Sequence, residues 1–281
     1  MRVLLVPNPV NPRSVDAVRD VSVQLTMAGY EPVLTDDDAR ACDLPELGIS
    51  RADVGAPGLV VAFGGDGTIL KAAHLVAASE SPILGVNLGR LGFLSGADGE
   101  NVASAVESAL AGEGRVECRQ TIEARVTAGG REAGGYRALN EVLIGRGGSR
   151  GIELAVAVNG QEVGRYICDG LVVATPTGST AYALSAGGPL LSPEVRGAVV
   201  VPVAPHSVRT RPIVTGPADV IEVSCPNPAR ADACVSVDGD QVPCRTSLES
   251  VIITPGRHDV RLVKLDGRDF YAMLARTFLG A

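Results

Sequence analysis

Apolar and polar residues follow two different rhythms along the first third of the chain. Short apolar runs alternate with longer segments in which apolar residues recur at helical spacing. This pattern predicts strands at 3–6, 31–35, 59–63 and 82–86, and helices at 15–28, 69–76 and 101–111. Ser14 is the predicted cap of the first helix and Gly29 its predicted end. Because strands alternate with helices, we expect an α/β domain with a parallel sheet over residues 1–114.

After residue 114 the rhythm changes to one apolar residue in every two. Gly129-Gly130 and Asn159-Gly160 are hairpin signals, and Gly and Pro separate many short apolar runs further on. We therefore expect a β-rich, sandwich-like domain over 115–264, with a strand at 260–263. The tail, 265–281, is expected to return to the first domain as an extra strand or a helix. No flexible linker separates the halves, and a cleft between such domains is the usual place for a ligand.

Composition restricts the class of partner. Hydrophobic residues make up 46% of the 281 but aromatic residues only 3%, so stacking platforms for single-stranded nucleic acid are not expected. The net charge of -7, without a basic run, argues against nucleic-acid and membrane partners. No apolar stretch is long enough for a membrane span and no signal peptide is recognisable, so we expect a cytoplasmic protein. The cysteines and histidines show no metal spacing, so no metal ligands are assigned.

One glycine-rich turn carries the strongest chemical signal. Gly64-Gly65-Asp66-Gly67-Thr68 stands between a predicted strand and a predicted helix, at the carboxyl end of the strand. Glycines let the backbone approach a phosphate, and the helix start offers unpaired N–H groups to an anion. A carboxylate beside phosphates is repelled by their charge, so a chemical role is expected for it: to order a metal ion or to accept a proton from a hydroxyl. The alternative is a tight turn whose aspartate has no chemical role.

Two stretches of the β-rich half also place polar groups among apolar ones. Asn140-Glu141 interrupts an apolar strand predicted at 136–144, so one of the two side chains should face the buried side. The alternative is a strand end near solvent. The second stretch runs from Asp169 through a buried strand into the hydroxyl-rich turn Thr175-Pro176-Thr177-Gly178-Ser179-Thr180. Ser179 or Thr180 is the predicted cap of a short helix that follows.

These stretches together resemble the NAD kinase family. The glycine-rich turn matches the family's first motif, and Asn87-Leu88-Gly89-Arg90-Leu91-Gly92-Phe93-Leu94 matches its Gly-Phe-Leu loop. Further matches are Asn140-Glu141, the stretch from Asp169 to Tyr182 with Ser185-Ala186-Gly187-Gly188-Pro189, and Asp238-Gly239. The resemblance covers the chain from Met1 to the tail. The first motif alone is shared with lipid kinases, whereas the threonine-rich signature is specific.

The resemblance implies a fold, an activity and partners. The fold would be a Rossmann-like N-terminal α/β domain with a β-rich C-terminal domain. The activity would transfer the γ-phosphoryl group of ATP, or of polyphosphate, to the 2′-hydroxyl of the adenosine ribose of NAD, giving NADP. A divalent metal ion, usually magnesium, and assembly into homodimers or homotetramers are implied as well.

The resemblance also assigns roles to residues. Asp66 is the implied general base, because a carboxylate within hydrogen-bond reach can take the proton of the ribose hydroxyl. The implied phosphate- and ATP-binding residues are Gly64, Gly65, Gly67, Thr68 and Lys71, with a solvated helix face as the alternative for Lys71. The implied NAD-binding residues are Asp66, Gly67, Asn140, Glu141, Asp169, Thr177, Thr180, Ala181, Tyr182, Ser185 and Asp240. Asn140 and Glu141 would bind the adenosine part, Asp169 would act across a subunit boundary, and Tyr182 would stack on a ring.

Two departures from the family pattern and three rival functions qualify this interpretation. Asp240 stands where the family often has Gln, which puts that contact in question, and the tail has Arg276 near the place of a usual Lys. One rival is a diacylglycerol-type lipid kinase, which the negative charge and the missing basic amphipathic segment oppose. Another is an NAD-binding regulatory relative without catalysis. A dehydrogenase is least expected, because Pro7-Asn8-Pro9 stands where G-x-G-x-x-G would follow the first strand.

Overall fold

The computed structural model describes residues 1–89, 92–207, 209–229, 231–243, 247–265, 267 and 269–279. Arg90 and Leu91 of the Gly-Phe-Leu loop lie outside the described residues. The chain divides into two compact units, Met1–Cys118 with His258–Ala281, and Arg119–Arg257. Each unit has a hydrophobic core of its own.

Strands and helices alternate in the first part of the chain and strands dominate afterwards, as the sequence pattern predicts. The strands are β1 (Arg2–Pro7), β2 (Glu31–Thr35), β3 (Gly48–Ile49), β4 (Leu59–Phe63), β5 (Ile83–Asn87), β6 (Ala97–Asp98), β7 (Arg115–Arg119), β8 (Ile122–Ala128), β9 (Arg131–Ala138), β10 (Glu141–Arg146), β11 (Ile152–Val158), β12 (Gln161–Cys168), β13 (Gly170–Ala174), β14 (Ala198–Val203), β15 (Ile213–Thr215), β16 (Ile221–Ser224), β17 (Ala233–Val237), β18 (Asp240–Gln241), β19 (Leu248–Pro255) and β20 (Val260–Lys264). The helices are α1 (Pro12–Met27), α2 (Asp36–Ala41), α3 (Asp66–Leu75), α4 (Val102–Leu110), α5 (Tyr182–Ser185) and α6 (Phe270–Leu274), with 3₁₀ turns at Pro45–Leu47, Arg51–Asp53 and Thr177–Thr180 and a π-helical turn at Ala275–Leu279. In the part of the chain that is described, no helix is long and apolar enough to cross a bilayer.

The first unit is built on a sheet whose strands lie in the order β3-β2-β1-β4-β5-β20-β7, with β6 beside β5. The pairs β1–β2, β1–β4, β4–β5, β5–β20 and β5–β6 are parallel. Strands β4 and β5 are buried along their whole length, as in sheets covered by helices. Strand order reverses between β1 and β4, and ligands of such folds bind beyond the carboxyl ends of the strands at that point. The expected Rossmann-like α/β domain is confirmed.

Helix α1 begins earlier than predicted and uses a different cap. The side chain of Asn11 accepts a hydrogen bond from the amide two residues on (3.1 Å), and Pro12 opens the first turn, where an N–H would lack a partner. Ser14, the predicted cap, is fully buried. Its hydroxyl donates to the Phe63 carbonyl (2.7 Å) and accepts from the Asn8 amide (2.9 Å). Ser14 therefore ties the loop after β1 to the end of β4, directly before the glycine-rich turn.

The second unit is a sandwich of two antiparallel sheets. One has the strand order β15-β14-β13-β10-β17-β18, and the other has the order β12-β11-β16-β19-β8-β9. Inward-facing aliphatic side chains from both sheets share a core, among them Val126, Ile144, Leu154 and Val251. On the outer face of β13 and β14, Ala183 of α5 packs against the strands. The expected β-rich, sandwich-like domain is confirmed.

The C-terminal segment corrects one strand assignment. The strand expected at 260–263 in the β-rich half is β20 of the first unit, where Leu262 pairs in parallel with Ile83 of β5. Periodicity reports which residues are buried but not which strand is the partner, so the sequence pattern could not place it. The tail that follows is helical, one of the two predicted alternatives, and belongs to the same unit.

Candidate active site

The glycine-rich turn between β4 and α3 has a closed side and an open side. Gly64 is buried, and a Cβ there would come within 2.3 Å of the Thr68 hydroxyl. Gly65 and Gly67 are exposed, and no atom of the described residues lies within 4 Å of the position that a Cβ would take. The open side therefore leaves room for a phosphate beside the first N–H groups of α3.

Asp66 is the first residue of α3, and both oxygens of its carboxylate accept backbone hydrogen bonds. Oδ2 accepts from the Phe93 amide (3.0 Å) and Oδ1 from the Leu94 amide (3.1 Å). A Cβ on Gly92 would lie 2.1 Å from Oδ1, so the loop comes this close because residue 92 is glycine. Each oxygen keeps a second lone pair that can accept from a hydroxyl. The sequence presents the turn and the loop as separate motifs, and nothing in their spacing predicts this contact.

Lys71 has a partner other than the phosphate that the sequence suggested. Its Nζ lies 2.5 Å from Oδ1 of Asp38, whose side chain is only 4% exposed. The Thr35 hydroxyl donates to the other oxygen of Asp38 (2.9 Å). A buried carboxylate needs such partners, because burying an unpaired charge is costly. Lys71 thus anchors α3 to α2.

Asn140 and Glu141 lie at a corner between two strands, which corrects the prediction of one continuous strand. β9 ends before them in one sheet, and β10 begins at Glu141 in the other. The carboxylate of Asp238 accepts backbone hydrogen bonds from Leu139 (2.8 Å), Asn140 (2.7 Å) and Glu141 (3.0 Å). Asp238 thereby satisfies the backbone amides of the corner, which buried backbone requires. Its own φ is +48°, in the left-handed region that Asp tolerates better than most residues.

The side chain of Glu141 is half-buried at this corner, and its pKa is raised toward neutrality. Burial, with the charge of Asp238 as a second cause, raises the pKa of Glu141 from its usual 4.5 to about 7, against a lowering effect of a hydrogen bond from the Tyr182 backbone. Among the described residues, its Oε2 has no hydrogen-bond partner. A carboxyl group with an unpaired oxygen is a suitable partner for a sugar hydroxyl.

The threonine-rich turn packs directly on this corner. The Thr175 hydroxyl donates to the Leu139 carbonyl (2.5 Å) and accepts from the Gly178 amide (3.1 Å). A Cβ on Gly178 would lie 2.1 Å from the Asn140 carbonyl oxygen. Ser179 does not cap α5 as predicted, because its hydroxyl donates to the carbonyl three residues back (2.6 Å). The hydroxyls that looked available in the sequence therefore hold the turn itself.

Five of the predicted NAD-binding residues lie on this turn and on α5. Thr177 is buried, and its carbonyl accepts from the Thr180 hydroxyl (3.1 Å), so Thr180 does not cap α5 either. Ala181 is half-buried at the start of the helix, and Ser185 is exposed at its end. The Tyr182 side chain is 41% exposed, so one face of its ring is open to a stacking partner.

Two family profiles match this chain, the ATP-NAD kinase N-terminal domain over residues 5–114 and the ATP-NAD kinase C-terminal domain over residues 139–265. The NAD kinase of Moorella thermoacetica is 35% identical over 274 residues, which are 97% of this chain and 88% of that protein. The NAD kinase of Mycobacterium bovis is 40% identical over 252 residues, which are 87% of this chain and 80% of that protein. This chain belongs to the NAD kinase family.

The fold of this NAD kinase family member is similar to that of two solved structures. An NAD kinase from Archaeoglobus fulgidus in complex with ATP matches with a TM-score of 0.74 and 26% identity, covering 100% of this chain and 98% of that chain. Yeast NADH kinase complexed with NADH matches with a TM-score of 0.88 and 24% identity, covering 100% of this chain and 87% of that chain. The second likeness shows the fold alone.

The motifs of the NAD kinase family that lie in the second unit come together, apart from Asp169. It lies at the opposite end of β13 from the threonine-rich turn, roughly 20 Å away at the usual rise of a strand. There its Oδ1 is 3.0 Å from Nε of Arg146. Asp240 follows the corner-holding Asp238 by two residues and is exposed on the short strand β18.

Proposed function

We propose that this chain is an NAD kinase that transfers the γ-phosphoryl group of ATP to the 2′-hydroxyl of the adenosine ribose of NAD, giving NADP. The observation that carries the proposal is the position of Asp66. Its carboxylate stands at the start of α3, held by two backbone amides, next to the exposed Gly65 and Gly67. Room for a phosphate beside a carboxylate with unused lone pairs suits phosphoryl transfer to a hydroxyl, in which a carboxylate orients the nucleophile. The comparisons do not favour a lipid kinase or a silent regulatory relative.

In this proposal Asp66 is the general base. The proton of the 2′-hydroxyl passes to the carboxylate while the hydroxyl oxygen forms a bond to the γ-phosphorus. The bond from that phosphorus to the β–γ bridging oxygen breaks, and ADP leaves with the electron pair. The N-terminus of α3 stabilises the charge on the phosphoryl oxygens. Because such transfer depends mainly on positioning and charge compensation, a fixed carboxylate and a glycine-rich turn are suitable parts.

A divalent metal ion, magnesium by the family resemblance, belongs to the proposal. In proteins Mg²⁺ is commonly held by one or two carboxylates together with substrate phosphates and water. In the described part of the chain, no three His, Cys, Asp or Glu side chains are grouped to hold an ion. The donor set of the turn, Asp66 beside room for phosphates, fits an ion that arrives with the nucleotide. When bound, the ion neutralises phosphate charge.

The second unit supplies the proposed NAD contacts. Asn140 and Glu141 would bind the adenosine part, and support comes from the unpaired Oε2 of Glu141 at the corner. Tyr182 would stack on a ring, since its side chain is exposed. The other proposed contacts on this unit are Thr177, Thr180, Ala181, Ser185 and Asp240.

The remaining parts of the proposal concern assembly, donor and location. Asp169 lies far along β13 from the threonine-rich turn, so its proposed contact is with NAD bound to another copy of the chain. A homodimer or homotetramer is therefore part of the proposal. Polyphosphate as a second donor rests on the family resemblance. A cytoplasmic location remains a prediction from the sequence pattern.

An end-point assay tests the proposed function. Purified protein is mixed with NAD or NADH, magnesium and either ATP or polyphosphate, and the phosphorylated product is measured with an NADP-specific dehydrogenase. We expect product with ATP, and at least about a hundredfold less with Asp66→Asn, the scale of losing a general base. Absence of product with either donor, although NAD binds in calorimetry, would contradict the proposal.

A further inference from the structure

The loop that holds Asp66 is itself held by the C-terminal segment of the chain. Lys264, the last residue of β20, is 6% exposed although it carries an ammonium group. Its Nζ donates to the Ser95 carbonyl (2.6 Å) and to the Phe93 carbonyl (3.3 Å). The amides of Phe93 and Leu94 point the other way, to the carboxylate of Asp66. One short loop therefore receives hydrogen bonds from Lys264 on its carbonyls and donates hydrogen bonds to Asp66 from its amides.

Backbone and ring contacts fix the same loop against the C-terminal segment. The Leu265 amide donates to the Gly96 carbonyl (2.9 Å), and a Cβ on Gly96 would lie 1.8 Å from the Val263 carbonyl oxygen. The Phe93 ring lies 5.9 Å from the Phe270 ring and 5.9 Å from the Phe278 ring, centroid to centroid. These contacts explain why β20 and the tail belong to the first unit: they support the loop on the side away from Asp66.

The presence of a lysine at position 264 also indicates a role in positioning the loop. The chain contains 25 basic residues of the Lys and Arg type, of which only Lys71 and Lys264 are lysine. An ammonium group is compact and directs three donors outward, whereas a guanidinium is a wide planar fork. Burying the charge is costly without partners, and the structure supplies two carbonyls of the loop as partners. A compact donor suits the space between β20 and the loop.

We propose that Lys264 is a positioning residue for the phosphoryl transfer, which fixes the loop at 92–95 so that its amides hold the Asp66 carboxylate in place. The inference rests on the proposed function, because it takes Asp66 as the base. Lys264 does not touch substrate in this account. Removing it should allow the loop and the carboxylate to move, and a displacement of about 1 Å at a reacting group can lower the rate roughly a hundredfold.

Kinetics of Lys264→Met test the proposal. We expect kcat to fall about 10- to 100-fold, with the KM values for NAD and ATP within about threefold of the wild-type values. Arg261→Met is the matched control, because Arg261 lies on the same strand but pairs with Glu80 at the surface (2.5 Å), and it should leave kcat unchanged. Lys264→Gln keeps a shorter hydrogen-bond donor, so its kcat should lie between the values of wild type and Lys264→Met. This variant also allows the test if Lys264→Met does not fold.

A double-mutant cycle with Asp66→Asn separates positioning from a general structural role. If Lys264 acts through Asp66, Lys264→Met should change the residual rate of Asp66→Asn by less than about threefold. The inference would be overturned if Lys264→Met lowered the rate equally in the wild-type and Asp66→Asn backgrounds. An unchanged kcat in Lys264→Met alone would also overturn it. A wild-type chain that makes no NADP would instead refute the proposed function, so the two failures are distinguishable.

Discussion

Gly92→Ala is the sharpest single perturbation of the candidate site. The added Cβ would lie 2.1 Å from Oδ1 of Asp66, 2.6 Å from Cγ and 2.9 Å from Oδ2. Because Cβ atoms essentially never approach another heavy atom within 3.0 Å, the carboxylate must retreat by about 1 Å. That retreat also breaks its hydrogen bonds to the amides of Phe93 and Leu94.

The expected loss in rate is about a hundredfold in kcat, the effect of a 1 Å misplacement, which corresponds to about 3 kcal/mol in the activation free energy. The free energy of unfolding should fall much less, because the group that moves is the end of a half-buried side chain. Gly89→Ala is the control from the same loop, since no atom in the described part of the chain lies within 4 Å of a Cβ at that position.

Steady-state kinetics and thermal melts of both variants check this prediction. Gly92→Ala should melt within a few degrees of the wild type and lose kcat, whereas Gly89→Ala should keep both. If kcat of Gly92→Ala stayed within threefold of wild type, Asp66 could move by about 1 Å without consequence, and a fixed carboxylate would not be needed for the reaction.

Three further predictions concern the second unit. Asp238→Ala leaves the amides of the Asn140 corner without their acceptor, so the KM for NAD should rise tenfold or more with a smaller change in kcat, as steady-state kinetics would show. The pKa of Glu141 is raised from 4.5 to about 7, so between these pH values the folded state keeps a proton that the unfolded state has lost. The free energy of unfolding therefore falls as the pH rises through that window, by up to roughly 3 kcal/mol. Glu141→Gln should remove this slope in urea unfolding at pH 5 and pH 8, and an unchanged slope would place the titration elsewhere. Tyr182→Ala should raise the KM for NAD about tenfold with kcat within threefold, because base stacking contributes about 1–3 kcal/mol while the backbone bond to Glu141 remains; an unchanged KM would exclude stacking.

The sequence predicts most of the architecture, because its two halves differ in local periodicity. Alternating strands and helices indicate the parallel sheet, and period-two runs with Asn159-Gly160 and similar turns indicate the antiparallel sandwich. β20 was assigned to the wrong half, since its partner β5 lies far away in sequence. Pairing partners are a property of the folded chain, which local patterns do not report.

The sequence indicates the motifs of the candidate site, but it does not indicate the contacts between them. The sequence predicts Asp66 and its glycines as a candidate site because strand, turn and helix are adjacent in sequence. The bond from Glu141 to Asp238 spans 97 residues, and the bond from Lys264 to Ser95 spans 169. The pair between Lys71 and Asp38 could not be predicted for the same reason, since Asp38 stands 33 residues earlier on another helix. Side chains that hydrogen-bond to backbone groups far away in the chain produce no recognisable local sequence pattern.

In the proposed reaction the Asp66 carboxylate takes the proton of the ribose hydroxyl. The most direct test compares Asp66→Asn with the wild type in two measurements, NAD binding by calorimetry and the single-turnover rate with saturating ATP, magnesium and NAD. Asparagine keeps the size of the side chain but is a far weaker base. We expect NAD affinity to stay within about threefold while the rate falls by about two to four powers of ten. A rate within tenfold of wild type, at unchanged affinity, would contradict the role of Asp66 as the base.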